Sequence, residues 1–223
     1  MRREIITTKD GSKTIHIPEW NEQYHSTHGA IQEAKHVYIK HGLAFFMEQI
    51  NNLKKTISVL EIGFGTGLNA YLTALEVDNN NTKIEYTGVE AYPVLEAEIK
   101  QLNYTKTERE KLIFNAIHNS KWESFKTCTN SFKLNKQKKT FDSINDIGVF
   151  DVIYFDAFGP RVQPELWTQP IFNAMYKALN TKGVLVTYCA QGHARRAMIT
   201  AGFKVTKEEG PPGKRHMLRA IKS

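Results

Sequence analysis

Residues Val59-Leu60-Glu61-Ile62-Gly63-Phe64-Gly65-Thr66-Gly67-Leu68-Asn69 set a short apolar run, an acid, three alternating glycines and a helical pattern in that order. A strand that ends in such a turn and leads into a helix forms a nucleotide-cofactor loop. Residues without a Cβ let the backbone come close to a ligand there. The spacing is GxGxG and lacks the third glycine of GxGxxG, and no Lys-Ser/Thr follows, which excludes a phosphate-cradling P-loop.

The rest of the chain supports an α/β reading. Hairpin-like apolar pairs flank Asp10-Gly11 over 4–17, a favoured tight turn, and a helical stretch follows from Tyr24-His25-Ser26 to Lys40, its apolar face continuing to Met47. Strands are expected at 57–62, 84–90, 150–156 and 183–189. Helices are expected at 68–77, 94–102, 108–127, 171–179 and 194–201, with Asp78-Asn79-Asn80-Asn81 breaking the first. Residues 132–141 read as an exposed strand with a basic face. Strand-like 203–208 and 217–221 flank Gly210-Pro211-Pro212-Gly213 as a hairpin at one sheet edge. Alternating strands and helices imply a mostly parallel, doubly wound sheet. No linker, repeat or low-complexity tract interrupts the chain, so residues 1–50 read as an N-terminal hairpin-plus-helix extension packed on a core of 51–223.

With 223 residues and 41% hydrophobic content the chain is long enough for one large domain. No apolar stretch approaches a membrane span, and the N-terminus has no signal-peptide core. Two distant cysteines, Cys128 and Cys189, without a CxxC pattern, suit free thiols in a reducing cytoplasm, and the eight histidines show no zinc-ligand spacing. A net charge of +7 suits a polyanionic partner such as a nucleic acid.

Candidate chemistry collects at strand ends. Glu90 closes the second core strand, where a carboxylate can accept hydrogen bonds from both hydroxyls of a ribose; an exposed loop charge is the plainer alternative. Asp156 ends an apolar strand, and a shielded carboxylate there can orient or deprotonate an amine, against the alternative of a simple turn cap. Trp167 can stack on a base or pack. Asp142 can meet the exocyclic amine of an adenine, with Asp146 nearby and equally polar. Arg195 and Arg196, Lys214 and Arg215, and the cluster Lys133, Lys136, Lys138 and Lys139 are each a solvated face or part of an RNA-binding surface.

The run Glu61–Asn69 resembles motif I of S-adenosylmethionine-dependent methyltransferases. Tyr154-Phe155-Asp156-Ala157-Phe158-Gly159-Pro160 with Pro164-Glu165-Leu166-Trp167-Thr168 is similar to the MnmC-like methyltransferase domain. So are Thr187-Tyr188-Cys189-Ala190 with Arg195-Arg196, Ala201-Gly202-Phe203, and Gly213-Lys214-Arg215-His216-Met217-Leu218. Upstream, Tyr24-His25-Ser26, Gly29-Ala30-Ile31-Gln32-Glu33 and Val37-Tyr38-Ile39 look like that family's pre-motif segment. The resemblance spans about residues 20–222. Family members often carry Asp-Gly-Phe where this sequence has Asp156-Ala157-Phe158, and the Gly-Asp usual before that strand has no clean match beside Asp142.

The resemblance implies a Rossmann-like class I methyltransferase fold with S-adenosyl-L-methionine as cofactor. It implies methylation of the aminomethyl group of 5-aminomethyl-(2-thio)uridine at the wobble position of tRNA. Cofactor contacts are then expected from Glu33, Glu61, Gly63, Gly65, Gly67, Asn69, Glu90 and Asp142, and the catalytic role falls to Asp156. Arg195, Arg196, Lys214, Arg215 and Trp167 are expected on the RNA side. In bifunctional members a flavin-dependent oxidase follows; here the sequence stops at Ser223, so a separate enzyme is expected to supply the aminomethyl intermediate. A methyltransferase of a small-molecule amine and a non-catalytic tRNA-binding protein are the alternatives.

Overall fold

The computed structural model describes residues 2–50, 56–78 and 82–223. The N-terminal segment forms β1 (Glu4–Thr7), β2 (Lys13–Ile17) and β3 (Glu22–Gln23), a small antiparallel sheet in the order β1-β2-β3. The expected turn at Asp10-Gly11 joins its first two strands, with Gly11 at φ 81°. One continuous helical rod follows, α1 (Ala30–Ala34), a π-helical segment (Lys35–Ala44) and α2 (Phe45–Gln49). The Phe45 amide reaches the Lys40 carbonyl, the i→i+5 bond of a π turn.

The core alternates β4 (Thr56–Ile62), α3 (Leu68–Val77), β5 (Lys83–Val89), α4 (Glu96–Ile99), α5 (Glu108–Asn119), β6 (Lys126–Thr129), β7 (Phe132–Gln137), β8 (Phe150–Phe155), α6 (Gln169–Ala178), β9 (Leu179–Thr187), α7 (Gly192–Thr200), β10 (Lys204–Glu209) and β11 (His216–Ile221). The eight-stranded sheet runs β10-β11-β9-β8-β4-β5-β7-β6. β9, β8, β4, β5 and β7 are mutually parallel, and β10, β11 and β6 pair antiparallel at the edges. This is the Rossmann-like class I methyltransferase architecture, with the antiparallel C-terminal hairpin at its edge. β8 is buried at every position, as its continuous apolar run requires of a central parallel strand.

Chain order leaves β4 toward β5 on one side and toward β8 on the other. A topological switch point therefore lies beyond the carboxyl ends of β4 and β8, where open α/β sheets bind ligands.

Three expectations need correction. The strand at 132–141 is the internal β7, shorter and mostly buried, because β6 covers its outer edge. Lys136 is accordingly 2% exposed and donates to the His118 carbonyl at 2.8 Å, so it contributes nothing to a basic face. The helix expected over 108–127 ends at Asn119, where Ser120 turns extended, and the short edge strand β6 was not expected. The helix over 94–102 shrinks to α4. Of the break at 78–81, Asp78 caps α3; Asn79, Asn80 and Asn81 lie outside the described residues.

Candidate active site

Gly63 follows β4 directly. Its amide and that of Phe64 both donate to the Val89 carbonyl at 3.0 Å, which ties the glycine loop to the end of β5. Gly63 has φ 89°, and a Cβ there would stand 2.6 Å from the Asp156 carbonyl oxygen. Only glycine permits that approach of the β4 and β8 ends. Gly65 and Gly67 also have positive φ, and a Cβ on Gly65 would lie 3.1 Å from the Tyr24 ring.

Asp156, half-buried just past β8, has both carboxylate oxygens engaged. Tyr38 Oη donates to Oδ1 at 2.5 Å, and Asn69 Nδ2 donates to Oδ2 at 2.8 Å. The same Asn69 nitrogen donates to Glu61 Oε1 at 2.9 Å, so one amide bridges two acids at the head of α3. Burial pushes the Asp156 carboxyl up to about 7; the Tyr38 and Asn69 bonds and the Lys214 charge pull it down, while the Glu33 charge adds to the rise. Burial, with the neighbouring Asp156 charge, also holds Glu61 well above the usual carboxylate range. Burial and the facing carboxylate keep Tyr38 a phenol, hence a donor.

Glu90, at the end of β5, accepts from the Gly65 amide at 3.0 Å and the Tyr92 amide at 2.9 Å. Its carboxylate is thereby aimed at the glycine loop and keeps further lone pairs on both oxygens. Glu33 is buried: Ser26 N–H donates to Oε2 at 2.8 Å, and Lys214 Nζ lies 2.5 Å from Oε1 and 4.0 Å from the centroid of the Tyr188 ring. This contact links the C-terminal hairpin turn to the start of α1 across the cavity. His25 is buried between Thr14 Oγ1 (2.9 Å) and Thr66 Oγ1 (3.4 Å), and burial drops it to about 4, so it stays neutral and pins the N-terminal segment to the loop.

These groups surround a single cavity of about 1080 Å³ that reaches from Glu90 and Asp142 on one side to Asp156 and Lys214 on the other. Glu33, Glu61, Gly63, Gly65, Asn69 and Arg215 also line it. Asp142 and Arg215 are exposed at its rim. Arg195 and Arg196 on α7 lie outside the cavity lining.

The expectation of base stacking by Trp167 does not hold. Trp167 is 1% exposed, its indole N–H bonds to the Phe158 carbonyl at 2.8 Å, and it packs on Phe155 and Phe172. A ring consumed in the core has no face for a base. The residues that sequence reasoning passed over are Tyr38, buried behind Asp156, and Tyr188, Trp20 and Phe158 in the cavity lining; Tyr38, Tyr188 and Phe158 stood inside quoted motif segments without an assigned role.

The cavity suits a cationic nucleoside cofactor on its own chemistry. Glu61 Oε2 and Asn69 Oδ1 are buried and without a hydrogen-bond partner among the described residues, ready for an ammonium donor. The glycine cradle leaves room for ligand backbone, and Glu90 offers acceptors for ribose hydroxyls.

Residues 134–223 match the family model described as S-adenosyl-L-methionine-dependent methyltransferase. Residues 12–124 match that of protein-L-isoaspartate(D-aspartate) O-methyltransferase. The second model covers the glycine loop but not Asp156. Curated relatives include the tRNA 5-methylaminomethyl-2-thiouridine biosynthesis bifunctional protein MnmC of Burkholderia thailandensis, 27% identical over 96% of this chain. The protein of the same name from Campylobacter fetus is 27% identical over 92% of the chain. The chain spans 34% of the length of each. The crystal structure of MnmC2 from Aquifex aeolicus aligns over 98% of this chain and 70% of its own, with TM-score 0.79 and 26% identity. Spermidine synthase from Thermotoga maritima shares the fold alone, covering 100% of this chain and 69% of its own at TM-score 0.58 and 13% identity. Methyl transfer is what both matched models name, and the chain belongs to the S-adenosyl-L-methionine-dependent methyltransferases and is similar over most of its length to part of the MnmC proteins.

Proposed function

We propose that this chain methylates the primary amine of 5-aminomethyl-(2-thio)uridine at the wobble position of tRNA. The observation that carries this reading is the distribution of charge in the cavity. Its floor is acidic, with Glu61 and Asp156 joined through Asn69, while exposed Arg215 stands at its rim. Acids at the floor suit a cationic amine, and exposed Arg161 and Arg215 stand among the lining residues beside the acids Asp142 and Glu165. A curated relative's name supplies the matching product, a tRNA 2-thiouridine bearing a 5-methylaminomethyl group.

When bound, S-adenosyl-L-methionine would supply an electrophilic methyl group for the amine nitrogen. Gly63 and Gly65 would admit the methionine end, Glu61 and Asn69 would accept from its ammonium, Glu90 would hold the ribose and Asp142 would meet the adenine, while Gly67 lies outside the cavity lining and shapes the turn against Phe64 and His118. An alkylamine is mostly protonated at neutral pH, so the site must favour its free base. Asp156, held near 7 by burial, is matched to orienting the amine and taking its proton. Tyr38 and Asn69 fix its two oxygens, and alignment supplies much of the acceleration. Glu33 serves through Lys214, which it neutralises at the cavity wall. Arg215 at the rim, and Arg195 and Arg196 on α7, meet RNA phosphates.

Residues 1–50 act as an extension completing the cavity of the 51–223 methyltransferase core. A separate amine-forming enzyme supplies the aminomethyl nucleoside, and the reaction takes place in the cytoplasm; no helix among the described residues is long and apolar enough to cross a membrane. Transfer of labelled methyl groups to tRNA carrying 5-aminomethyluridine, beside free alkylamines, tests the reading. Label in tRNA supports it, and label in free amines alone refutes it.

A further inference from the structure

Three aromatic rings meet in the cavity wall where the turn after β2 faces the loop after Asp156. Trp20 and Phe158 stand edge to face with centroids 5.5 Å apart at 82°, and Tyr24 meets the same Phe158 at 5.0 Å and 82°. All three line the cavity and all are only half-buried, unlike Trp167. Phe158 is two residues from Asp156, which sets the cluster beside the proposed reacting end, while Tyr24 also meets the Gly65 turn and carries the Arg3 guanidinium 5.8 Å from its ring centroid.

The turn that carries Trp20 is held from across the cavity. The Arg161 guanidinium nitrogen Nη2 donates to the carbonyls of Trp20 (3.0 Å) and Asn21 (2.9 Å) and to Glu22 Oε2 (3.1 Å). Asn21 has φ 46°, in the left-handed region that asparagine enters more readily than other residues with a Cβ. Acceptors on three successive residues gathered by one guanidinium fix a turn, which a surface ion pair alone does not do.

We infer that Trp20, Tyr24 and Phe158 form the seat for the acceptor's pyrimidine ring, and that Arg161 is a positioning residue for Trp20. The inference rests on the proposed uridine acceptor. Every base has a π-face, and partly exposed aromatic rings beside the reacting carboxylate offer stacking that burial has not used up. A base seated there presents its 5-aminomethyl arm toward Asp156, while a free alkylamine has no ring to seat.

The test is steady-state methyl transfer by wild type, Trp20→Leu, Trp20→Phe and Arg161→Ala, with tRNA carrying 5-aminomethyluridine, alongside calorimetric titration of each protein with S-adenosyl-L-methionine. Trp20→Leu is expected to raise KM for tRNA about 10-fold or more with kcat and cofactor affinity nearly unchanged. Trp20→Phe, which keeps a π-face, recovers most of the loss, and Arg161→Ala shifts KM in the same direction. An unchanged KM in Trp20→Leu, or a fall in cofactor affinity instead, overturns the seat. Wild type inactive on this tRNA defeats the proposed function itself, a result distinct from active wild type with an indifferent Trp20 variant.

Discussion

Tyr38 Oη lies 2.5 Å from Asp156 Oδ1, a contact that joins the π-helical segment to the end of β8 across 118 residues of sequence. The π segment packs closely on the sheet: a Cβ on Gly42 would stand 2.9 Å from Val186 and 3.2 Å from the Tyr154 ring. π turns concentrate at functional sites, and here one carries the phenol that holds the acid of the cavity floor.

Tyr38→Phe removes a donor that lowers the Asp156 pKa, so the carboxyl should titrate above its present value of about 7. Turnover at pH 7 is expected to fall by about 10-fold to 100-fold, in line with a lost hydrogen bond to a charged group, and to recover partly by pH 9. The pH dependence of kcat checks this. A uniform loss with an unshifted profile contradicts the positioning role.

Asp156 also makes stability depend on pH. Its folded value of about 7 lies above the ordinary 3.8, so the folded chain holds this proton more tightly than the unfolded chain does. Below about pH 4 both states are protonated and the group has no effect. Between about 4 and 7 the unfolded state ionises first and folding is penalised, and above 7 the penalty is complete. Asp156→Asn should therefore be more stable than wild type at pH 8 by up to about 4 kcal/mol, with the gain gone at pH 4. Thermal melts of both proteins across this range read the difference, and equal melting at pH 8 contradicts the burial argument.

Gly63→Ala would force a side chain into a left-handed backbone position and against the Asp156 carbonyl. A loss of about 1–3 kcal/mol in urea unfolding is expected, together with weaker cofactor binding. A variant of normal stability and affinity would show that β4 and β8 can separate freely at this point.

Glu90→Ala frees the Gly65 and Tyr92 amides and removes the ribose acceptor. Affinity for S-adenosyl-L-methionine should drop about 10-fold to 100-fold by calorimetry, the range of a lost charged hydrogen-bonding group. Unchanged affinity would assign Glu90 to loop structure alone.

Much of this site was readable before any coordinates, for physical reasons. Asp156 and Glu90 end apolar runs, so strand polarity alone sets them on the ligand edge of a parallel sheet, and the glycines announce close backbone approach. What escaped was tertiary or locally ambiguous. β6 is short, polar and at an edge, so it has no periodicity to detect. Lys136 reads as solvated until Trp122 pairs beside it and the His118 carbonyl takes its ammonium. Nothing local separates Trp167, sunk in the core, from Trp20, left in the cavity wall; the difference is made by neighbours on distant segments. Tyr38 sits in an apolar helical face, where a core ring is the simplest expectation, and only the packed fold turns its hydroxyl to Asp156.

The most direct measurement is nucleoside mass spectrometry of tRNA bearing 5-aminomethyluridine after incubation with the protein and S-adenosyl-L-methionine, using wild type and Asp156→Asn. Wild type should convert the nucleoside to its methylaminomethyl form, and Asp156→Asn should bind the cofactor but leave the nucleoside unconverted. An unmethylated nucleoside with wild type, or full conversion by Asp156→Asn, would contradict an amine methyltransferase that works through this carboxylate.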